Sequence, residues 1–224
     1  MEGKCCSEKN LLPDLVDESG LFNVTWGKLF LWNFIPFIKS RIKEQLKVEI
    51  SSQIKKCITA GLSSAASLRI DSHQHTHMIP IVFDSLIDVL KQENFHAEFI
   101  RNTQDPINFY LPHTGIKNIS LSNIIKCIVL NYFSIHTKRI LKKYHLPVNY
   151  LCGVFFSGKM DDRIKNILPV FEHKSLKKEY TTEVLFHPGL VLQQELTYEF
   201  TKKGFNDFHL SQNRKIEYNE VSAL

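Results

Sequence analysis

The stretch LRIDSHQHTHMIP, residues 68–80, ends an apolar run with one carboxylate and three imidazoles: Asp71, His73, His75 and His77. Each of these groups lies two residues from the last. In an extended backbone, side chains two residues apart point the same way, so we expect the four groups to share one face. Nitrogen and oxygen ligands without a thiolate suit Zn, Mn, Co or Mg, so the stretch predicts metal binding or proton transfer. The alternative is a surface loop that happens to carry histidines.

Strand and helix patterns alternate on both sides of this stretch. Short apolar runs predict strands at residues 67–71, 97–101, 150–156 and 181–186. Apolar residues at helical spacing predict helices at residues 40–60, 79–91, 119–144 and 160–171, and a short helix at 26–38 that breaks near Pro36. Gly61 occupies a helix C-cap position, residues 1–23 are expected to be irregular, and the part after Gly189 helical or irregular. This alternation is typical of an α/β fold with a parallel sheet.

Polar residues follow the predicted strands, namely Asp71, Arg101, Ser157 and His187. The carboxyl ends of parallel strands open onto one face in both a (β/α) barrel and a doubly wound sheet, so the pattern predicts a site at that face. Metal-assisted hydrolysis of an amide or ester is the reaction class that fits. His187 is placed to donate a proton to a leaving group, and Arg101 to orient a substrate or neutralise a carboxylate. The alternatives are a hydrogen-bonded core histidine and a plain surface arginine.

Composition narrows the class of protein. The 224 residues have 43% hydrophobic content and a net charge of +5, which favours one domain over residues 1–224. The lysine clusters have no interleaved aromatic residues, so no nucleic-acid partner is expected. Five cysteines without a CxxC pair predict reduced thiols and a cytoplasmic protein. No apolar segment is long enough to predict a membrane span or signal peptide, and no glycine-rich nucleotide motif occurs.

Two motifs resemble those of the YdjC-like (ChbG-type) carbohydrate deacetylase family. DSHQHTHMIP resembles the first motif, D-[SG]-H-x-H-x-H-x-x-P. TTEVLFHPG resembles the second motif, E-x-x-x-H-P-[GA], carried here by Glu183, His187, Pro188 and Gly189. LPDLVDESGLF and VEISSQIKKCITAGL also look like segments of the family, so the resemblance covers nearly the whole chain.

The resemblance implies a deformed (β/α) barrel of the polysaccharide-deacetylase type. Such a protein removes N-acetyl groups from amino sugars or chito-oligosaccharides with a divalent metal, Mg²⁺ as the first choice and Zn²⁺ as the second. By motif position, His73 would be a metal ligand, and His187 and Arg101 would be catalytic residues. Asp71, His75 and His77 would support His73 by fixing the orientation of its ring.

Two segments of the family pattern do not occur in this sequence. Family members begin with a strand ending in Asp-Asp-Phe-Gly, and a later Gly-[LIM]-His-x-x-L strand carries the second metal histidine. We therefore expect a partial deacetylase domain, with a barrel incomplete at the N-terminus and the C-terminus and little activity alone. Opened strand edges would favour a homodimer. The alternative to an enzyme that acts on acetylated amino sugars is a non-catalytic pseudoenzyme or sugar-binding remnant of the same fold.

Overall fold

The computed structural model of the protein describes residues 3–114, 119–189, 207 and 210–222. The chain divides into two compact units, Met1–Arg101 with Ile135–Pro147 and Asn102–Ser134 with Val148–Leu224. The single domain over residues 1–224 stays a prediction. Within the described ranges, no helix combines the length and the apolar character that crossing a membrane requires.

The first unit begins with irregular chain, as predicted, apart from a 3-10 turn at Lys9–Leu11. Its regular elements are α1 (Trp26–Trp32), α2 (Pro36–Thr59), β1 (Leu68–Ile70), α3 (Pro80–Gln92) and β2 (Ala97–Ile100). Strands β1 and β2 pair in parallel, with Leu68 opposite Ala97 and Ile70 opposite Ile100. Helix α3 crosses from one strand to the next, so the predicted strand–helix–strand unit is confirmed.

Helix α2 packs against α3 and begins at Pro36, before the predicted start at residue 40. Pro36 occupies the first helical position, where its missing N–H costs no hydrogen bond, so the predicted break is confirmed. The helix ends at Thr59, and Gly61 follows with φ +72°, a left-handed conformation that suits glycine. Leu46 of α2 and Phe83 of α3 are fully buried in the core of this unit.

The second unit contains a second parallel pair of strands. Its elements are a 3-10 turn at Ile107–Phe109, α4 (Leu111–Thr114), the start of α5 (Leu121–Lys143), β3 (Asn149–Cys152), α6 (Ile164–Leu176), β4 (Thr181–Val184) and α7 (Asn213–Val221). Strands β3 and β4 pair from Asn149 opposite Thr181 to Cys152 opposite Val184. The core is aromatic, with edge-on contacts among Tyr110, Tyr150, Phe156 and Phe171.

Strand β3 is shorter than the predicted strand at residues 150–156. It stops at Cys152 because Gly153 adopts φ +136° and lies so close to β4 that a Cβ would meet the Leu185 carbonyl oxygen at 2.6 Å. Beyond it, the Phe155 N–H donates to the Asp105 carboxylate at 2.8 Å instead of to a neighbouring strand. A buried acceptor on another segment therefore ends this strand.

Helix α6 begins later than residue 160. Asp161 accepts a hydrogen bond from the Arg163 backbone N–H at 3.2 Å, which holds a turn before the helix begins at Ile164. For the part after Gly189, residues 190–206, 208 and 209 lie outside the described residues, and α7 confirms a helix at residues 213–221.

The α/β class with parallel strands is confirmed. Each of the two sheets has two strands, and the described residues form no closed barrel. The deformed barrel and its incompleteness stay predictions.

Candidate functional site

The histidine stretch of the first unit turns instead of extending. Residues His73–Met78 form a 3-10 turn in which Gln74 and His75 have φ values of +53° and +55°. The predicted extended backbone is wrong, and so is the shared face, because His73 is exposed while His75 and His77 are buried. Two consecutive left-handed residues are costly, and the burial of the side chains that follow them offsets that cost.

His77 ties together the ends of two neighbouring strands. Its Nε2 lies 2.8 Å from the Arg101 carbonyl oxygen, which can only accept, so Nε2 carries hydrogen. Its Nδ1 accepts from the Ser72 hydroxyl at 2.7 Å, and its backbone N–H donates back to the same oxygen at 2.9 Å. Burial lowers the pKa of His77 to about 4, so the ring is neutral. Both ring nitrogens are engaged, so His77 can orient other groups but cannot bind a metal here.

Asp71 is the charged centre of this turn. Its carboxylate forms an ion pair with Arg101, and its Oδ1 lies 3.9 Å from Nδ1 of His75 and of His77. Burial acts to raise the pKa of Asp71, but the polar interaction with His75 and the charge of Arg101 outweigh it and lower the pKa to about 2. Asp71 is therefore ionised at neutral pH.

Arg101 neutralises a carboxylate, as one of its two predicted roles requires. Its side chain is only 18% exposed, so the alternative of a plain surface residue is wrong. Asp71 and Arg101 meet because each directly follows one strand of a parallel pair, and the Arg101 N–H donates to the Ile70 carbonyl at 3.0 Å. A direct role for Arg101 in binding substrate stays a prediction.

His73 borders a cavity of about 440 Å³ in the first unit. Asp71, Ser72 and Thr76 line it beside His73, and the Thr76 hydroxyl donates to the His73 carbonyl at 2.8 Å. The apolar part of the lining includes Leu46, Ile50, Ile54, Leu68 and Ile70. His77 also lines the cavity, but it is buried, and His73 is the exposed imidazole of the two.

The residues of this stretch offer a metal ion only part of a coordination sphere. Among the described residues, no group of three His, Cys, Asp or Glu side chains is arranged to hold a metal. His77 uses both ring nitrogens, and Asp71 is paired with Arg101. His73 fits as one nitrogen ligand, so a divalent ion would need further ligands from groups other than those described.

The second predicted motif forms a turn in the second unit, directly after β4. The His187 side chain is 29% exposed, and its Nδ1 lies 3.8 Å from Oε2 of Glu217 on α7. The His187 backbone N–H donates to the same oxygen at 2.5 Å. His187 is therefore neither fully buried nor fully exposed, and its catalytic role stays a prediction.

Arg214, also on α7, holds this turn from its other side. Its Nε donates to the His187 carbonyl at 3.0 Å and its Nη2 to the Pro188 carbonyl at 3.2 Å. A Cβ on Gly189, which has φ +150°, would lie 2.8 Å from Nη2 of Arg214. The glycine of the motif therefore makes room for the guanidinium.

Glu183, the first residue of the second motif, forms a hydrogen bond that connects two strands. Its carboxylate accepts from the amide of buried Asn149 at 2.9 Å, and Asn149 in turn accepts from the Asn102 backbone N–H at 2.8 Å. This chain of hydrogen bonds links β4 to β3 and to the backbone at Asn102. The geometry gives Glu183 a part in fixing the strand ends.

Sequence reasoning missed three polar residues, Ser72, Arg214 and Glu217. Ser72 stands inside the first motif, where its role beside His77 could have been suspected. Glu217 lies 30 residues beyond His187 on a largely polar helix. No motif or residue spacing in the sequence therefore indicates that the two residues are in contact. The first turn and His187 belong to different units.

Comparison with known proteins gives a match at the level of a family. A model of the YdjC-like protein family matches residues 1–221. The match includes both motifs and nearly all of the chain between and around them. No curated protein matches the chain, and no solved structure does.

Proposed function

Because the chain belongs to the YdjC-like protein family, which is associated with carbohydrate deacetylase function, we propose that it is a hydrolase that removes N-acetyl groups from amino sugars or chito-oligosaccharides. The observation that carries the proposal is the exposed His73 at the edge of a 440 Å³ cavity, beside an ordered network of Asp71, His75, His77 and Arg101. The proposal includes the deformed barrel of this family as the fold of the catalytic domain.

In this proposal the groups behind His73 fix its position. His77 locks the end of β1 to the end of β2, and Thr76 holds the His73 carbonyl. Asp71, which lines the cavity, is held by its ion pair with Arg101. Such prearranged groups spare the reaction the cost of ordering them.

A divalent ion, Mg²⁺ or Zn²⁺, would be bound in part by His73 and would supply a Lewis acid and an activated water for attack on the acetamide. The protein's own proposed contribution is a proton. His187, with Nδ1 beside Glu217, would donate the proton on Nε2 to the amine nitrogen as it leaves.

A second candidate is a non-catalytic protein that binds the same sugars. The observation that favours it is that the described residues provide His73 but no complete group of three metal ligands. The two candidates differ in one measurable property, because a binding protein holds the acetylated sugar without releasing acetate. The predicted homodimer and cytoplasmic location stay predictions.

The test is acetate release from chitobiose with added Mg²⁺ or Zn²⁺, comparing the wild type with His73→Ala. We expect the substitution to reduce release by about 10- to 100-fold or more, because changing even an outer-sphere group of a metal site typically costs about that much. Calorimetric titration with Zn²⁺ gives a readout independent of turnover, and we expect His73→Ala to weaken that binding.

The matched control is His96→Ala, which removes an exposed imidazole from the same unit. It should leave acetate release and Zn²⁺ affinity unchanged. Equal acetate release by the wild type and His73→Ala would overturn the assigned site. Tight binding of chitobiose with no acetate release under any metal would favour the non-catalytic candidate.

A further inference from the structure

Glu217 is a fully buried carboxylate with a specific set of partners. Its side chain has 0% exposure, one oxygen accepts the Met160 backbone N–H at 3.2 Å, and the other accepts the His187 backbone N–H at 2.5 Å. Both oxygens therefore accept hydrogen bonds, which suits the ionised form. Burying a carboxylate is costly, and bonds that hold two separate segments explain why it is tolerated here.

The imidazole of His187 faces the same carboxylate. Its Nδ1 lies 3.8 Å from Oε2, within the range of an ion pair but too long for a direct hydrogen bond. Among the described residues, the charged groups that face Glu217 are His187 on the turn and Arg214 one turn earlier on α7. The third segment that touches the carboxylate, at Met160, contributes a backbone N–H.

Arg214 completes the arrangement, because it donates to the carbonyls of His187 and Pro188 while Glu217 accepts the His187 N–H. Helix α7 thus binds both the backbone N–H and the backbone carbonyl of His187. A turn that only needed to end a strand would not require a buried carboxylate as the acceptor of its backbone N–H.

We propose that Glu217 is the positioning residue of His187, which fixes the hydrogen on Nδ1 and stabilises the protonated ring, while Arg214 holds the backbone of the turn. The proton-donor role of His187 rests on the proposed function. In that step, protonated His187 gives the hydrogen on Nε2 to the departing amine nitrogen. The neutral ring keeps the hydrogen on Nδ1, the tautomer that the carboxylate favours.

The experiment is a pH titration of the histidine rings by NMR on the full chain, with His187 assigned from the signal lost in His187→Gln. In Glu217→Gln we expect the titration midpoint of His187 to fall by about one pH unit, because a nearby opposite charge stabilises the charged ring. The pH profile of acetate release should move in the same direction.

The matched control is Glu220→Gln, which removes a carboxylate from the same helix. Glu220 pairs with Lys165 at 3.0 Å and lies outside the contacts of the turn, so the His187 midpoint should not change. Glu217→Asp keeps the charge but withdraws it by one carbon, and it should restore part of the wild-type midpoint.

An unchanged His187 midpoint in Glu217→Gln would overturn the proposal. Loss of the fold in both the Gln and the Asp variants would also overturn it, because Glu217 would then determine the fold rather than the state of His187. If the wild type releases no acetate but the midpoint shifts as expected, the proposed function fails and the positioning role stands. If acetate release and its pH profile are equal in wild type and Glu217→Gln, the positioning role fails alone.

Discussion

The His73–Met78 turn of the first unit and the His187 turn of the second contain the same kinds of groups in opposite environments. Each turn follows a parallel strand and has an arginine and a carboxylate beside its histidine. In the first turn the carboxylate of Asp71 is 40% exposed and its pKa is lowered. In the second, the carboxylate of Glu217 is fully buried and its pKa is raised, chiefly by burial.

The difference shows what each carboxylate contributes. Asp71 loses solvation on burial, and its interactions with His75 and Arg101 outweigh that loss. Glu217 is held mainly by backbone N–H groups that would be unsatisfied without it. We therefore expect substitutions in the second turn to cost more stability, and acid to act on the two turns with opposite sign.

The largest effect is expected for Glu217→Ala compared with Asp71→Ala. Glu217→Ala leaves two backbone N–H groups without their acceptor in a buried site, so we expect a loss of roughly 2–4 kcal/mol in the free energy of unfolding. Asp71→Ala removes a partly exposed ion pair and should cost about 1 kcal/mol or less. Urea denaturation of both variants measures the difference, and equal losses in the free energy of unfolding would contradict the contrast between the two turns.

The next largest expected effect is the difference in stability loss between His77→Ala and His73→Ala in the first turn. His77→Ala removes a buried ring that joins Ser72 to the Arg101 carbonyl, and we expect a loss of about 2 kcal/mol. His73→Ala changes an exposed side chain and should stay within about 0.5 kcal/mol of the wild type. Thermal and urea unfolding check this, and a large loss for His73→Ala would show that His73 has a structural role.

The smallest effect is the pH dependence of stability. The folded pKa of Asp71 is about 2 against a usual 3.8, so its contribution is complete above pH 3.8 and is lost as pH falls towards 2. Side-chain exposure of 40% screens the interaction, which leaves about 1 kcal/mol. In urea unfolding between pH 5 and pH 2.5, the free energy of unfolding of Asp71→Asn should therefore decrease less than that of the wild type.

Glu217 should show the reverse dependence. Its folded pKa is raised above 4.5, so the folded state binds the proton more tightly than the unfolded state. Its contribution is most favourable below pH 4.5 and decreases as pH rises through the folded pKa. Glu217→Gln should remove this decrease. The same sign of pH dependence for Asp71→Asn and Glu217→Gln would contradict the contrast between the two turns.

Much of the fold could be predicted because it depends on local pattern. Pro36 marks the break before α2, Gly61 marks its end, and the apolar runs before Asp71 and Arg101 mark β1 and β2. The ends of β3 and α6 could not, because a close approach at Gly153 and a buried acceptor at Asp105 set the first. Such contacts join residues far apart in the chain and leave no periodic signal.

The candidate site divides in the same way. The motifs in the sequence single out His73 and His187 as candidates, because these residue types in this order are specific. The turn after β1 and the ion pair between Arg101 and Asp71 appear only in the folded structure. The same is true of His77, which is neutral and links Ser72 to the Arg101 carbonyl. Only the tertiary structure brought Glu217 and Arg214 to His187. Burial and long-range hydrogen bonds set these states, and both depend on which segments meet when the chain has folded.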